Sequence, residues 1–200
     1  MAHDPSSPLT LSGSRWAERA LRLFGWRIEF DGLPSRQGVI AVYPHTSNWD
    51  FPIGLLTKWA IGLPARFWAK DSLFRVPLIG PFMRRVGGIA VDRSAAHGLV
   101  GSTVRQIEDA RRRGDWFWLA VAPEGTRKAV RGWKSGFYRV ALGAQVPLCV
   151  ASIDYGRRCV RVSDFLELSG DEAQDMARVA ACLNGVRGYR HAQAGPVRLL

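Results

Sequence analysis

The sequence predicts an α/β domain: a single, mostly parallel sheet with helices on both faces. Three observations predict it. Short apolar runs ending at a proline or a polar loop alternate along the chain with stretches of helical periodicity. The run at 116–122 is apolar throughout, as strands buried on both faces are, instead of alternating. The 200 residues, 47% hydrophobic and 22% charged, suffice for one core without cross-links.

Taken in order, residues 1–12 read as a flexible lead, 13–190 as the domain and 191–200 as a tail. Residues 15–28 form an amphipathic helix at about 100° per residue. Trp16, Ala17, Ala20, Leu21, Leu23, Phe24 and Ile28 share one side and Arg15, Glu18, Arg19 and Arg22 the other. Trp26 and Arg27 break the pattern. Such a helix covers the core or docks in a bilayer interface, and the two are compatible. Residues 39–43 read as a buried strand ending at Pro44. Residues 47–61 read as a helix capped by Ser47 or Asn48, with Pro52 in its first turn. Strands follow at 66–69 and 89–91, then a helix over 96–113 whose arginines at 111–113 suit the negative end of its dipole and which Gly114 stops. A strand at 116–122, a helix at 134–144 closing near Gly143, strands at 148–153 and 159–162 and a helix at 171–186 complete the chain.

The formal charge of +11 points to an anionic partner: nucleic acid, a phospholipid leaflet or a phosphorylated substrate. Eight tryptophans beside many arginines suit a membrane–water interface and also base stacking, so composition alone leaves both open. The N-terminus lacks the basic-then-apolar pattern of a signal peptide, and no uncharged run of about 18 apolar residues marks a membrane span. Cys149, Cys159 and Cys182 have neither paired spacing nor an even count, and read as buried thiols of a reducing compartment. No His, Cys, Asp and Glu cluster has metal-site spacing.

Parallel sheets place their chemistry in loops at the carboxyl ends of strands. His45 follows the first long strand directly, and the loop 44–50 can return Asp50 against its ring. A neutral imidazole can take a hydroxyl proton near neutral pH, and a carboxylate on its other nitrogen fixes the tautomer. The segment Pro-Glu-Gly-Thr-Arg at 123–127 leaves another strand end. There Gly125 permits close approach to a ligand, Arg127 offers a fork for phosphate oxygens, Thr126 a hydroxyl and Glu124 a carboxylate to order them. The plain alternative for this segment is a turn closed by a surface ion pair. Lys70, just beyond the strand at 66–69, can reach an anionic group. His97, on a helix with no carboxylate at matching spacing, and His3 and His191, in the tails, receive no role, and without a Gly-x-Ser-x-Gly elbow Ser47 does not read as a covalent nucleophile.

Together, His45-x4-Asp50, Gly-Gly-Ile-Ala-Val-Asp-Arg at 87–93, Pro-Glu-Gly-Thr-Arg at 123–127 and Val-Pro-Leu at 146–148 resemble, in order and separation, the four blocks of the glycerolipid acyltransferase family. These are the lysophosphatidic acid acyltransferases and their relatives. The resemblance spans residues 38–153, and Ser-Asn-Trp-Asp-Phe at 47–51 is similar to a small bacterial branch. It implies a glycerol-3-phosphate acyltransferase-like fold with His45 as general base and Asp50 as its orienting carboxylate. It further implies that Arg93 holds the acceptor's phosphate, that Glu124, Gly125, Thr126 and Arg127 shape the acceptor site, and that Pro147 belongs to the acyl side. Ala122 and Lys128 depart from the family's usual Phe and Ser around the third block.

The implied reaction moves a fatty acyl group from acyl-CoA or acyl-carrier protein to the hydroxyl of lysophosphatidic acid or a related lysophospholipid, with no covalently bound cofactor. The implied partners are the lysolipid, the acyl donor and an anionic membrane surface at the cytoplasmic face of the inner membrane, with nucleic acid not expected. A non-catalytic basic membrane- or nucleic-acid-binding protein and a lipid or thioester hydrolase are the alternatives.

Overall fold

The computed structural model describes residues 8–91 and 98–200. Strands β1 (Arg27–Glu29), β2 (Gln37–Tyr43), β3 (Ala65–Lys70), β4 (Gly88–Val91), β5 (Phe117–Val121), β6 (Leu148–Asp154) and β7 (Cys159–Leu166) form one sheet. Its order is β1-β7-β6-β2-β5-β3-β4. The five strands from β6 to β4 run parallel, whereas β7 is antiparallel to β6 and β1 follows β7. The expected mostly parallel α/β sheet is therefore present.

Side-chain alternation along the strands divides the core in two. Val39, Ala41, Phe117, Leu119, Leu148 and Val150 face α4 (Leu99–Arg113), α5 (Gly136–Ala144) and α6 (Glu172–Cys182). Ile40, Trp118, Cys149, Ala151 and Ile153 face the opposite side, where α1 (Arg15–Leu23) contributes Leu21 and α2 (Asp50–Ala60) contributes Ile53. A short α3 (Ile79–Arg85) follows a 3-10 turn at Asp71–Arg75, and a second such turn spans His191–Gln193. Cys149 and Cys159 are buried, Cys182 is half-buried, and all three are free thiols. Among the described residues, no helix is long and apolar enough to cross a membrane.

Several boundaries differ from the sequence pattern, each for a local reason. The helix expected over 15–28 ends at Leu23 because the chain turns at Gly25, and residues 27–29 pair with β7 instead. Trp26, which broke the helical pattern, is buried edge-on against Tyr155. α1 covers the core through Ala17 and Leu21 while Trp16, Leu23 and Phe24 remain exposed. α2 starts at Asp50 with Pro52 in its first turn, and neither Ser47 nor Asn48 caps it; the Ser47 hydroxyl accepts from Trp49 N instead. α5 ends at Ala144, as expected, and its cap is Gln145 in the left-handed region, two residues beyond Gly143. The start expected at residue 96 lies outside the described residues, and α4 is helical from Leu99. α3 is not expected from the sequence, because seven residues with a glycine and a proline at its second and third positions show no helical period.

One buried charge ties the far side together. Asp175 accepts hydrogen bonds from Tyr138 Oη (2.9 Å), Ser169 N and Oγ (3.0 Å each) and Gly170 N (3.1 Å). Burial alone would raise its carboxyl, but those donors more than offset it and hold it below the ordinary value. A depressed carboxyl contributes stability above its unfolded-state value that is lost as pH falls through its folded one. Asp175→Asn is therefore expected to lower unfolding free energy at pH 7 by roughly 1.5–3 kcal/mol. In urea titrations the gap between the two proteins should narrow only as pH falls below the ordinary carboxylate value and through the lowered folded one.

Candidate active site

The carboxyl ends of three adjacent parallel strands, β6, β2 and β5, meet at one edge of the sheet. Each end contributes a polar side chain to the same network. β2 leads into the loop 44–49, which carries His45, and the loop closes on Asp50 at the first residue of α2. Asp50 is buried (3% exposed), and its Oδ2 accepts from Thr46 N and Ser47 N, each at 2.8 Å. The loop's own backbone thus fixes the carboxylate, and the positive end of the α2 dipole favours its charge. His45 Nδ1 lies 3.3 Å from the same oxygen. Nε2, the other ring nitrogen, is left to the cavity that the residue lines.

The end of β5 turns at Gly125, whose φ of 67° lies in the left-handed region and whose N–H returns to Ala122 O. A side chain at 125 would press on Lys134. The turn brings Glu124 under the histidine loop. Its Oε2 accepts from His45 N (2.6 Å) and its Oε1 from Gly195 N (2.8 Å). Burial raises this carboxyl above its ordinary value, more than the two backbone N–H donors and the nearby imidazole lower it. Arg127 Nε donates to Ser47 O (3.1 Å), which ties the guanidinium to the histidine loop, and Arg127 also lines the cavity.

The end of β6 supplies Tyr155. Asp154 Oδ1 accepts from Gly156 N (2.9 Å) and Arg157 N (3.2 Å), forming the turn that presents the tyrosine. Tyr155 Oη donates to Asp50 Oδ1 at 2.7 Å. Burial first, then the bond to Asp50, pushes the phenol far above its ordinary value, so it remains a donor.

The segment after α6 braces these loops from outside. Arg190 N donates to Thr46 Oγ1 (3.2 Å), and Gly195 O accepts from Tyr43 Oη (3.2 Å). Residues 191–200, expected as a tail, are thus in contact with the site.

A cavity of about 1120 Å³ opens beside His45, lined by α2 from one face of the sheet and by α4 and α5 from the other. Its apolar lining runs from Phe51 and Leu55 past Ile40 to Ile153, Val160 and Val162, and on the other side to Leu73, Ile79 and Phe82. Among the described residues it is lined by five cations, Lys58, Lys70, Arg127, Lys134 and Arg139, and by one acid, Asp50, so it favours an amphiphile with an anionic head.

Among the residues expected at the site, His45, Asp50, Gly125, Thr126, Arg127 and Lys70 line this cavity together. Glu124 is not among its lining residues; both its oxygens accept from backbone N–H groups, and it holds the histidine loop. Pro147 is not there either. It precedes β6, and its carbonyl accepts from Val39 N near the start of β2, at the amino ends of the strands. Arg93 lies outside the described residues.

Sequence reasoning missed Tyr155, Lys134 and Arg139. Tyr155 had a usable signal, a tyrosine at the carboxyl end of a buried strand; the two cations had none. Tyr155→Phe retains the ring packing on Trp26 and removes only the donor to Asp50. It is expected to lower kcat about tenfold to a hundredfold, the scale of one charge-assisted hydrogen bond, with KM little changed. Steady-state kinetics beside a melting curve checks this.

Residues 27–154 match the family model described as Acyltransferase. No curated protein matches the chain. Among solved structures, the 1-acyl-sn-glycerophosphate (LPA) acyltransferase PlsC from Thermotoga maritima is similar in fold, with a TM-score of 0.50. The identity is 19%, over 82% of this chain and 71% of that one.

Proposed function

Because the chain belongs to the acyltransferase family, we propose that it transfers a fatty acyl group from a thioester donor to the hydroxyl of a lysophospholipid-type acceptor. The observation that carries this reading is a histidine, oriented by a buried carboxylate 3.3 Å from Nδ1, at the wall of a cavity both apolar and cation-lined. A water-soluble metabolite needs no such apolar length, and an uncharged lipid no such set of cations.

In the proposed reaction His45 Nε2 takes the acceptor's hydroxyl proton as the oxygen attacks the thioester carbonyl. Asp50 stabilises the imidazolium that forms. The carbon–sulfur bond then breaks, and the proton passes from His45 to the departing thiolate, leaving an ester and a free thiol. Arg127, with Arg93, binds the acceptor's anionic head, and Lys70, Gly125 and Thr126 complete that side. The acyl chain lies against Ile40, Ile153, Val160 and Val162 beside α2. The donor is acyl-CoA or acyl-carrier protein, and no covalently bound cofactor takes part. The acceptor is lysophosphatidic acid or a relative, met at an anionic leaflet on which the protein is peripheral.

Acceptor dependence tests the reading. Thiol release from long-chain acyl-CoA and from acyl-carrier protein is followed with and without lysophosphatidic acid and other lysophospholipids in mixed micelles. Release that requires a lysolipid is expected. Release at the same rate without one identifies a hydrolase and overturns the proposal.

A further inference from the structure

Twelve large hydrophobic residues are exposed among the described residues, and five of them, Leu73, Val76, Leu78, Ile79 and Phe82, fall within residues 73–82. That is a patch and not scatter. The segment is firmly built: Phe74 and Met83 are buried beneath it, and Gly80 packs so closely on the Phe74 carbonyl that any side chain there would collide with it. Leu78, at the tip, is 87% exposed and has a φ of 65°, a conformation unfavourable for leucine. Folding of the monomer gains nothing from a strained leucine pointing into water.

The charge around the patch is predominantly positive. Lys70, Arg75, Arg84 and Arg85 flank it against a single acid, Asp71, which pairs with Arg75 at 2.7 Å, and residues 72–91 contain no Asp or Glu. Leu73, Ile79 and Phe82 also line the cavity that holds His45, so the patch is part of the rim of the site. An apolar tip ringed by cations matches the two layers of an anionic leaflet, acyl chains below and phosphates above.

We propose that residues 73–82 and their flanking cations dock on an anionic phospholipid leaflet and open the cavity directly into lipid. The purpose of this docking rests on the lipid acceptor proposed above; the docking itself is measured without turnover. α1 also exposes Leu23 and Phe24, which makes it the natural control.

The test is co-sedimentation with vesicles of equal parts phosphatidylglycerol and phosphatidylcholine. It compares wild type with Val76→Glu/Leu78→Asp and with Leu23→Asp/Phe24→Asp. Neither Val76 nor Leu78 lines the cavity. Wild type is expected to bind, more weakly at high salt and on phosphatidylcholine alone, and the 76/78 variant to lose at least about tenfold in partitioning with an unchanged melting transition. Leu78→Asn, which the left-handed backbone tolerates, serves if the double variant unfolds. Equal binding by wild type and the 76/78 variant overturns the proposal, as does loss only in the 23/24 variant. Absence of vesicle binding overturns it too, including the case where light scattering shows self-association that the 76/78 variant abolishes. Turnover on monomeric lysolipid with a short-chain acyl-CoA, measured in parallel, reads the proposed function separately. Binding lost in the variant with no turnover in any protein removes that function and leaves the docking surface standing.

Discussion

His45→Ala is expected to lower kcat by about two to four orders of magnitude, the span that a positioned general base supplies. Among the described residues at the wall, the other nitrogen-bearing charged side chains, Lys58, Lys70, Lys134, Arg127 and Arg139, are ordinarily protonated and so are poor bases beside a neutral imidazole. The substitution leaves the fold nearly untouched. The backbone N–H that Glu124 accepts is retained by alanine, and the imidazole's partner, Asp50, keeps its bonds to Thr46 N, Ser47 N and Tyr155 Oη. A melting transition within the wild-type range, beside the loss of turnover, separates a chemical role from a structural one.

Asp50→Asn is expected to have the second largest effect, and on two properties at once. Oδ2 faces two backbone N–H groups and the imidazole, while Oδ1 faces only the Tyr155 hydroxyl, which can turn and accept. The asparagine therefore keeps its oxygen toward Thr46 and Ser47 and its amide toward Tyr155, so the loop retains its shape. What disappears is the negative charge beside an imidazole that must become cationic in the proposed transition state. A fall in kcat of about two to four orders of magnitude is expected, with a stability loss of roughly 1–3 kcal/mol from weakened hydrogen bonds. Kinetics and urea unfolding on the same preparation measure both. Asp50→Ala, which leaves Thr46 N and Ser47 N without an acceptor, should lose more stability than Asp50→Asn.

The parts of this site that were legible in the sequence are those that lie close together along the chain. His45 and Asp50 are five residues apart and end a strand that its apolar run announces. Glu124 to Arg127 end another in the same way, so their shared edge followed from the rule for parallel sheets. The parts that were not legible come from chain folding back. The hydroxyl of Tyr155 reaches Asp50 across 105 residues, and Gly195 N reaches Glu124 across 71. No local pattern encodes either contact. The position of Glu124 after a strand was legible, but its bonds to His45 N and Gly195 N depend on the C-terminal segment packed over it, which no local pattern encodes. Pro147, whose place was implied only by the resemblance, lies at the amino ends of the strands. The α3 region was opaque because only Met83 among its large apolar residues is buried while Ile79 and Phe82 are exposed, which leaves no period from the core.

The most direct measurement of the central claim is the lipid product formed from labelled acyl-CoA or acyl-carrier protein and a panel of lysophospholipids, by wild type and by His45→Ala. An acyl-labelled diacyl phospholipid is expected from wild type only, with both proteins folded. Equal product from the two proteins would contradict the assignment of His45, and free fatty acid as the sole labelled product would contradict transfer itself.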